Sequence, residues 1–369
     1  MQITFLMPAD NLTGGCRVVA TYAKILQSRG HTVHIVGGPP IRPTWRERLR
    51  AWRRGQMQAL RQRQHPPPGH LTLSGVPYSV LERPRPIKAA DVPNADVVIA
   101  TWWETAVWMA ALPERKGKKV HLIQGYEIWG GDKTRERVHA ALRLPNRKIA
   151  ISAGLKHDIE AVLGNLDIAV VPNAVDLRQF DAPPRQRGEP PTVGFIYAAN
   201  SPFKGVDRAV KIIERARRDM PELRVLAFGA HQPTPELPLP PNTAYTQRPL
   251  QSQLASLYAS CDAWLFTSRL DSFGLPILEA MACRTPVIGV PIGAAPDLLA
   301  DGNGILVIPS SEEALPEEFA AAVLRLCRMP AEEWAAMSER AYRRAHGYTW
   351  EDAADRLEAL ISAAVATPK

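Results

Sequence analysis

The sequence predicts an α/β chain of two doubly wound, parallel-sheet domains, and three observations carry that prediction. Short apolar runs alternate with helix-like stretches, the pattern of a parallel sheet wrapped by helices. The alternation runs twice, and between the two series lies a break rich in proline and glycine, Pro183, Pro184, Gly188, Pro190 and Pro191, a linker composition. At roughly 150 residues per domain, a chain of 369 residues is long enough for two cores. The expected division is an N-terminal domain over 1–178 with an insertion at 42–93, a C-terminal domain over 179–349, and a final helix over 350–369 that returns to the first domain.

In the first series, Ile3–Met7, Thr32–Val36, Asp96–Ala100, Lys119–Gln124, Lys148–Ser152 and Ile168–Val171 read as buried strands. Val18–Gln27, the stretch after Glu104 and Ser152–Gly164 read as helices between them. The second series supplies Thr192–Tyr197, Leu223–Phe228, Ala263–Thr267, Thr285–Val290 and Gly304–Ile308 as strands. Residues 65–93 are proline-rich, and so long a loop within a compact domain is expected to be functional or mobile.

Composition excludes several classes. With 46% hydrophobic and 22% charged residues the chain is neither disordered nor fibrous. No apolar run approaches the roughly 18 residues of a membrane span. Cys16, Cys261, Cys283 and Cys327 are scattered, without C-x-x-C spacing, so no metal site and no disulfide framework is expected, and a reducing cytoplasm is the simplest compartment. The net charge of +8 invites a nucleic-acid reading, but eight arginines against one acid within residues 42–63 hold seven of those charges. That is one local patch without a nucleic-acid module, so no nucleic-acid partner is expected. At helical spacing Trp45, Leu49, Trp52, Ala59 and Leu60 share one side of the segment. Such a basic amphipathic helix suits an anionic membrane surface, and the alternative is a solvated helix that packs its Trp residues on the domain. The expected location is the cytoplasm, at the inner face of the membrane.

The most informative stretch begins at Asp271 and reads D-S-F-G-L-P-I-L-E-A-M-A-C-R-T-P-V-I. It follows a strand, turns at Ser272–Gly274 and enters a helix whose first turn accepts Pro276. The main-chain N–H groups near Phe273, Gly274 and Leu275 are therefore expected to face a ligand, with an anion favoured there. Asp271 on the loop and Glu279 about one turn into the helix add two carboxylates that can accept from hydroxyls. Phosphate for the amides and hydroxyls for the acids together describe a sugar nucleotide.

This run resembles the E-x7-E motif of the retaining glycosyltransferases of family 4, which have the GT-B fold: two Rossmann-like domains facing across a cleft. Further resemblances follow in order along the chain: Asn11-Leu-Thr-Gly14-Gly15, Ile149-Ala-Ile-Ser152, Val171-Pro-Asn173-Ala-Val-Asp176, Gly194 to Asp207 with its Lys204-Gly205, and Val225-Leu-Ala-Phe-Gly229. The resemblance implies roles for the matching positions. Glu279 would bind the donor's ribose, Asp271 the hydroxyls of the transferred sugar, and Lys204 the departing diphosphate; these three are the implied catalytic set. Gly14, Gly15, Asn200, Gly229, Ser272, Phe273, Gly274 and Leu275 would complete the donor site. Trp102, Trp103, Glu104, Gln124, Tyr126 and Glu127, at the ends of first-domain strands, would meet the acceptor. No D-x-D metal motif is present, so transfer is expected to need neither metal nor other cofactor.

The chain departs from the family pattern at Asp271, where Glu is usual, at Ala199, where an Arg precedes the Lys, at Gln124, where a His is usual, and at Ala174 in P-N-G. The segment Gln124-Gly-Tyr126-Glu127, after Thr101-Trp102-Trp103-Glu104, is similar to members that build bacterial surface polysaccharides, rhamnosyltransferase-like ones included. The expected function is transfer from a nucleoside-diphosphate sugar to a glycan or lipid-linked acceptor, by same-face attack since no nucleophile occupies a matching position. The alternative is a catalytically silent partner of the same fold that binds sugar nucleotide or glycan. A dehydrogenase is disfavoured, because Gly14 and Gly15 do not make G-x-G-x-x-G.

Overall fold

The computed structural model describes residues 1–40, 45, 49, 52, 53 and 68–366, and the chain forms two compact units. The first comprises Met1–Ile151, Lys156–Val171 and the segment from Glu351; the second comprises Ser152–Leu155 and Pro172–Trp350.

The first unit holds β1 (Gln2–Ala9), β2 (Thr32–Gly38), β3 (Tyr78–Val80), β4 (Val97–Ala100), β5 (Lys118–Ile123), β6 (Arg147–Ala150) and β7 (Ile168–Val170). They form one sheet in the order β3-β2-β1-β4-β5-β6-β7, and each neighbouring pair runs parallel. The register sets Phe5 beside Ile35 on one side and Ile99 on the other. A central parallel strand is covered on both faces, which is why Val97–Ala100 is buried at every position. From Glu351 on, the helix Trp350–Ala366 belongs to this unit and buries Ala354, Leu357 and Ile361. Its Glu358 accepts from Arg29 at 2.9 Å and pairs with His31 at 2.8 Å.

Residues 68–93 differ from the long loop expected. They form the short helix His70–Leu73, the edge strand β3 and a turn at Ala89–Asp91. Leu71, Val76, Leu81, Ile87 and Val92 are each 6% exposed or less. Their spacing matches neither the helical nor the strand period, so periodicity does not reveal a segment anchored by single apolar residues between turns.

The second unit holds β8 (Thr192–Ile196), β9 (Arg224–Gly229), β10 (Thr243–Gln247), β11 (Ala263–Phe266), β12 (Val287–Gly289) and β13 (Ile305–Leu306). Their order is β10-β9-β8-β11-β12-β13, again parallel throughout. β10 escapes the sequence reading because its side chains are half-buried or exposed, as suits an edge strand. The proline-rich segment before β8 is pinned to this unit. Buried Asp262 accepts from Arg185 at 2.8 Å, from the N–H of Gly188 at 3.0 Å and from the N–H of Thr192 at 2.8 Å.

In each sheet the strand order reverses once, between β1 and β4 and between β8 and β11. A doubly wound sheet opens a ligand crevice beyond the carboxyl ends of its strands at that point.

Candidate functional site

The loops leaving β8 and β11 come together at the reversal of the second sheet. After β8 the chain makes a short turn, Pro202–Lys204, that ends on Gly205 with φ 63°. A Cβ on Gly205 would lie 2.0 Å from the carbonyl oxygen of Thr267, so only glycine lets this turn sit against the end of β11. The Thr267 hydroxyl donates to the Gly205 carbonyl at 2.9 Å and locks the approach. Lys204 is thereby carried to Asp271, with Nζ 2.6 Å from Oδ2.

The loop Asp271–Gly274 ends on Gly274, at φ 88° the residue that starts the helix Leu275–Ala282 with Pro276 in its first turn. The N–H groups of Gly274 and Phe273 donate to Asp271 Oδ1 at 2.9 and 3.4 Å. In this structure they therefore face the loop's own carboxylate rather than open space. The loop is braced from outside, because the Ser152 hydroxyl donates to the Ser272 carbonyl at 2.6 Å and the Ala294 N–H to the Phe273 carbonyl at 3.0 Å. Ser272 and Leu275 remain half-buried, while Phe273 and Gly274 are buried.

Glu279 lies one turn into that helix and is only 6% exposed. Tyr258, fully buried on the preceding helix Gln251–Ala259, donates its hydroxyl to Glu279 Oε2 at 2.7 Å. The Tyr258 ring is held edge-on to Trp264 and Phe228, with centroids 4.5 and 5.4 Å away. Tyr258 is the site residue that sequence reasoning missed, since it stands 21 positions from its partner with no local motif. Gly229 closes β9, where a Cβ would sit 1.9 Å from the Tyr197 carbonyl oxygen. Asn200 is exposed on the loop after β8.

The first unit gathers the other expected residues at the carboxyl ends of β1, β4 and β5. Gly14 and Gly15 open the helix Gly14–Ser28, which has no acid in its first turn and no side-chain cap from Thr13. Gln124 lies against Gly15, and its Oε1 is buried with no hydrogen-bond partner among the described residues. Trp102 and Trp103 start the helix Trp103–Ala110 after β4, and Glu104 sits in its first turn. Trp129 stands beside Trp102 with ring centroids 5.8 Å apart at 60°, and is 47% exposed. Tyr126 is nearly buried, and its hydroxyl is 2.7 Å from His139 Nε2. Trp129 and His139 are further residues missed from sequence, both brought in by a loop and a helix beyond the motif.

Glu127 is 3% exposed, and Oε2 accepts one N–H, from Trp103, at 3.3 Å. Burial pushes its carboxyl up to about 8, and that one N–H offsets only part of the effect. The unfolded chain releases this proton near the ordinary carboxylate value, so the contribution of Glu127 to stability falls as pH rises from about 4.5 to about 8. Glu127→Gln is expected to leave stability at pH 5 nearly unchanged and to gain on the order of 4 kcal/mol over wild type at pH 8. Urea denaturation at both values checks this, and a gap that does not grow with pH contradicts it.

Two parallel Rossmann-like sheets, each reversing its strand order once, are the architecture of the GT-B fold. Solved structures of that class superpose on nearly the whole chain. Anabaena HepE in complex with UDP and glucose covers 98% of this chain and 100% of its own at TM-score 0.70 and 17% identity. WaaG, a glycosyltransferase involved in lipopolysaccharide biosynthesis, covers 98% of this chain and 99% of its own at TM-score 0.66 and 14% identity. At such identities the likeness is one of fold. Residues 12–179 match the family model Glycosyltransferase Family 4, and residues 190–329 match Glycosyl transferases group 1. The family 4 match thus lies in the N-terminal part of the chain and the group 1 match in the C-terminal part.

Among curated relatives, the D-inositol 3-phosphate glycosyltransferase of Segniliparus rotundus is 31% identical over 218 residues, 54% of this chain and 47% of the relative. That of Kineococcus radiotolerans is 29% identical over 216 residues, 50% of this chain and 48% of the relative. The chain thus spans about half the length of the curated relatives it matches.

Proposed function

We propose that the protein transfers a sugar from a nucleoside-diphosphate donor to a glycan or lipid-linked acceptor, with retention at the anomeric carbon, in building a bacterial polysaccharide. The observation that carries this reading is the grouping of Lys204, Asp271, the Phe273 and Gly274 amides and Glu279 at the strand-order reversal of the second sheet. An ammonium and main-chain amides suit a diphosphate, and a fixed carboxylate suits a ribose diol. In same-face attack the bond from the acceptor oxygen to the anomeric carbon forms as the bond to the phosphate oxygen breaks. The departing phosphate takes the acceptor's proton. Lys204 stabilises the charge that collects there without a metal ion. Because HepE was solved with UDP and with UDP-glucose, UDP-sugars are the first donors to test. Release of nucleoside diphosphate from a donor panel, with lipid-linked and free glycan acceptors, tests the reading. Donor binding without release would instead favour a silent binding partner.

Trp102, Trp103, Glu104, Gln124, Tyr126 and Glu127 form the acceptor side of this proposal, and the exposed Trp129 beside Trp102 adds an aromatic face suited to a sugar ring. A membrane location fits the same acceptor class. Among the described residues no helix is long and apolar enough to cross a membrane. Most of residues 42–63 lies outside the described residues, but Trp45, Leu49 and Trp52 are helical and 68%, 40% and 66% exposed. Their spacing of four and three in the sequence is that of one face of a helix. On this proposal the protein works at the inner face of the cell membrane. Wild type is expected to sediment with vesicles containing phosphatidylglycerol and not with neutral ones, and Trp45→Ala/Trp52→Ala to stay largely in the supernatant. Equal sedimentation of both proteins removes the membrane role.

A further inference from the structure

Asp271 makes a set of contacts that a reader of sugar hydroxyls does not need. Oδ2 takes the Lys204 ammonium at 2.6 Å, while Oδ1 takes the N–H of Gly274 at 2.9 Å and that of Phe273 at 3.4 Å. These are the same cation and amides that the proposed function gives to the donor's diphosphate. We infer that Asp271 is an internal stand-in for that diphosphate: it holds Lys204 and the loop amides in place while the site is free, and gives up Lys204 when the donor binds. This inference rests on the donor-site reading above.

The local chemistry favours this role. An aspartate readily accepts from main-chain N–H groups two and three residues on, because its carboxyl reaches no further than its own turn. A glutamate at 271 would carry the charge one methylene outward, past the Gly274 amide. The helix Leu275–Ala282 has no acid in its first turn, so Asp271 supplies the negative charge that its N-terminus favours. Both backbones are braced. The turn of Lys204 is fixed against Thr267, and the loop of Asp271 is fixed by Ser152 and Ala294. Exchange of partners must therefore occur by side-chain rotation. The Lys204 side chain is 37% exposed and has room for it, whereas that of Asp271 is 13% exposed. An incoming phosphate then meets a cation and amides already aimed, in competition with a carboxylate that lowers its affinity. Asp271 acts through Lys204 and is a positioning residue.

The test is UDP binding by titration calorimetry to wild type, Asp271→Asn, Lys204→Met and the double variant. Asparagine keeps the oxygen that accepts from Gly274 and Phe273, so the turn survives, but it carries no charge for Lys204. Asp271→Asn is expected to bind UDP about threefold or more tighter than wild type, with a smaller gain in the Lys204→Met background, since the competition runs through Lys204. A purely structural role would weaken binding in Asp271→Asn. Equal or weaker binding there, or the same gain in both backgrounds, overturns the inference. If none of the four proteins binds UDP, GDP, dTDP or pyrophosphate, the donor-site reading falls, and the inference falls with it.

Discussion

Replacing Lys204 with alanine is expected to lower the rate of nucleoside-diphosphate release by about 10²–10³-fold, on the order of 3 kcal/mol, while leaving the protein folded. The ammonium is the one side-chain cation within hydrogen-bond reach of Asp271 among the described residues, and negative charge develops on the departing diphosphate during transfer. A fixed cation stabilises that charge more in the transition state than in the bound donor, so the loss falls mainly on turnover. Stability changes little, because Lys204 is partly exposed and Asp271 keeps its two amide partners. Steady-state release measured together with thermal unfolding checks both halves. A wild-type rate in Lys204→Ala refutes the site assignment.

Glu279→Gln is expected to raise the dissociation constant for UDP by about 10–100-fold, the scale of one or two hydrogen bonds to a charged group. The buried carboxylate takes Tyr258 on Oε2 and is proposed to accept from the ribose hydroxyls. Glutamine has nearly the same shape but only one accepting oxygen, and its amide nitrogen donates and cannot accept from a second hydroxyl. Comparison of UDP with 2′-deoxy-UDP isolates the ribose contact. Wild type should discriminate between them and Glu279→Gln should not; equal discrimination by the two proteins contradicts the ribose role. Tyr258→Phe should show a smaller loss of affinity in the same direction, because Glu279 Oε2 then loses the hydroxyl that orients it.

Much of the site on the second unit was legible because its chemistry is local. The run from Asp271 to Glu279 places a turn, a glycine with positive φ, a proline in the first helical turn and a carboxylate one turn on, and local backbone rules decide each. Asp271 was a different matter. Its identity and position suggested hydroxyl recognition, but its partner Lys204 lies 67 residues away, and no spacing rule reports that the two meet at 2.6 Å. Tyr258 beneath Glu279 was invisible for the same reason. In the first unit, the strands carrying Trp102 and Gln124 were readable from apolar runs. Glu127 read as an acceptor-side acid at a strand end, and only the packing that buries it turns it into a carboxyl pushed up to about 8.

By itself the sequence determined two parallel sheets, the break between them and the stretches that carry the chemistry, because strand burial, turn residues and helix starts are properties of neighbouring residues. The tertiary structure alone decided which groups meet. It set Asp271 on Lys204, Tyr258 on Glu279, Trp129 beside Trp102 and Asp262 on the proline-rich segment before β8. Such pairings depend on strand order and on the loops that the order brings together, and a parallel sheet joins residues far apart in the chain. Charge at a site is therefore fixed by topology, even where each charged residue is plain in the sequence.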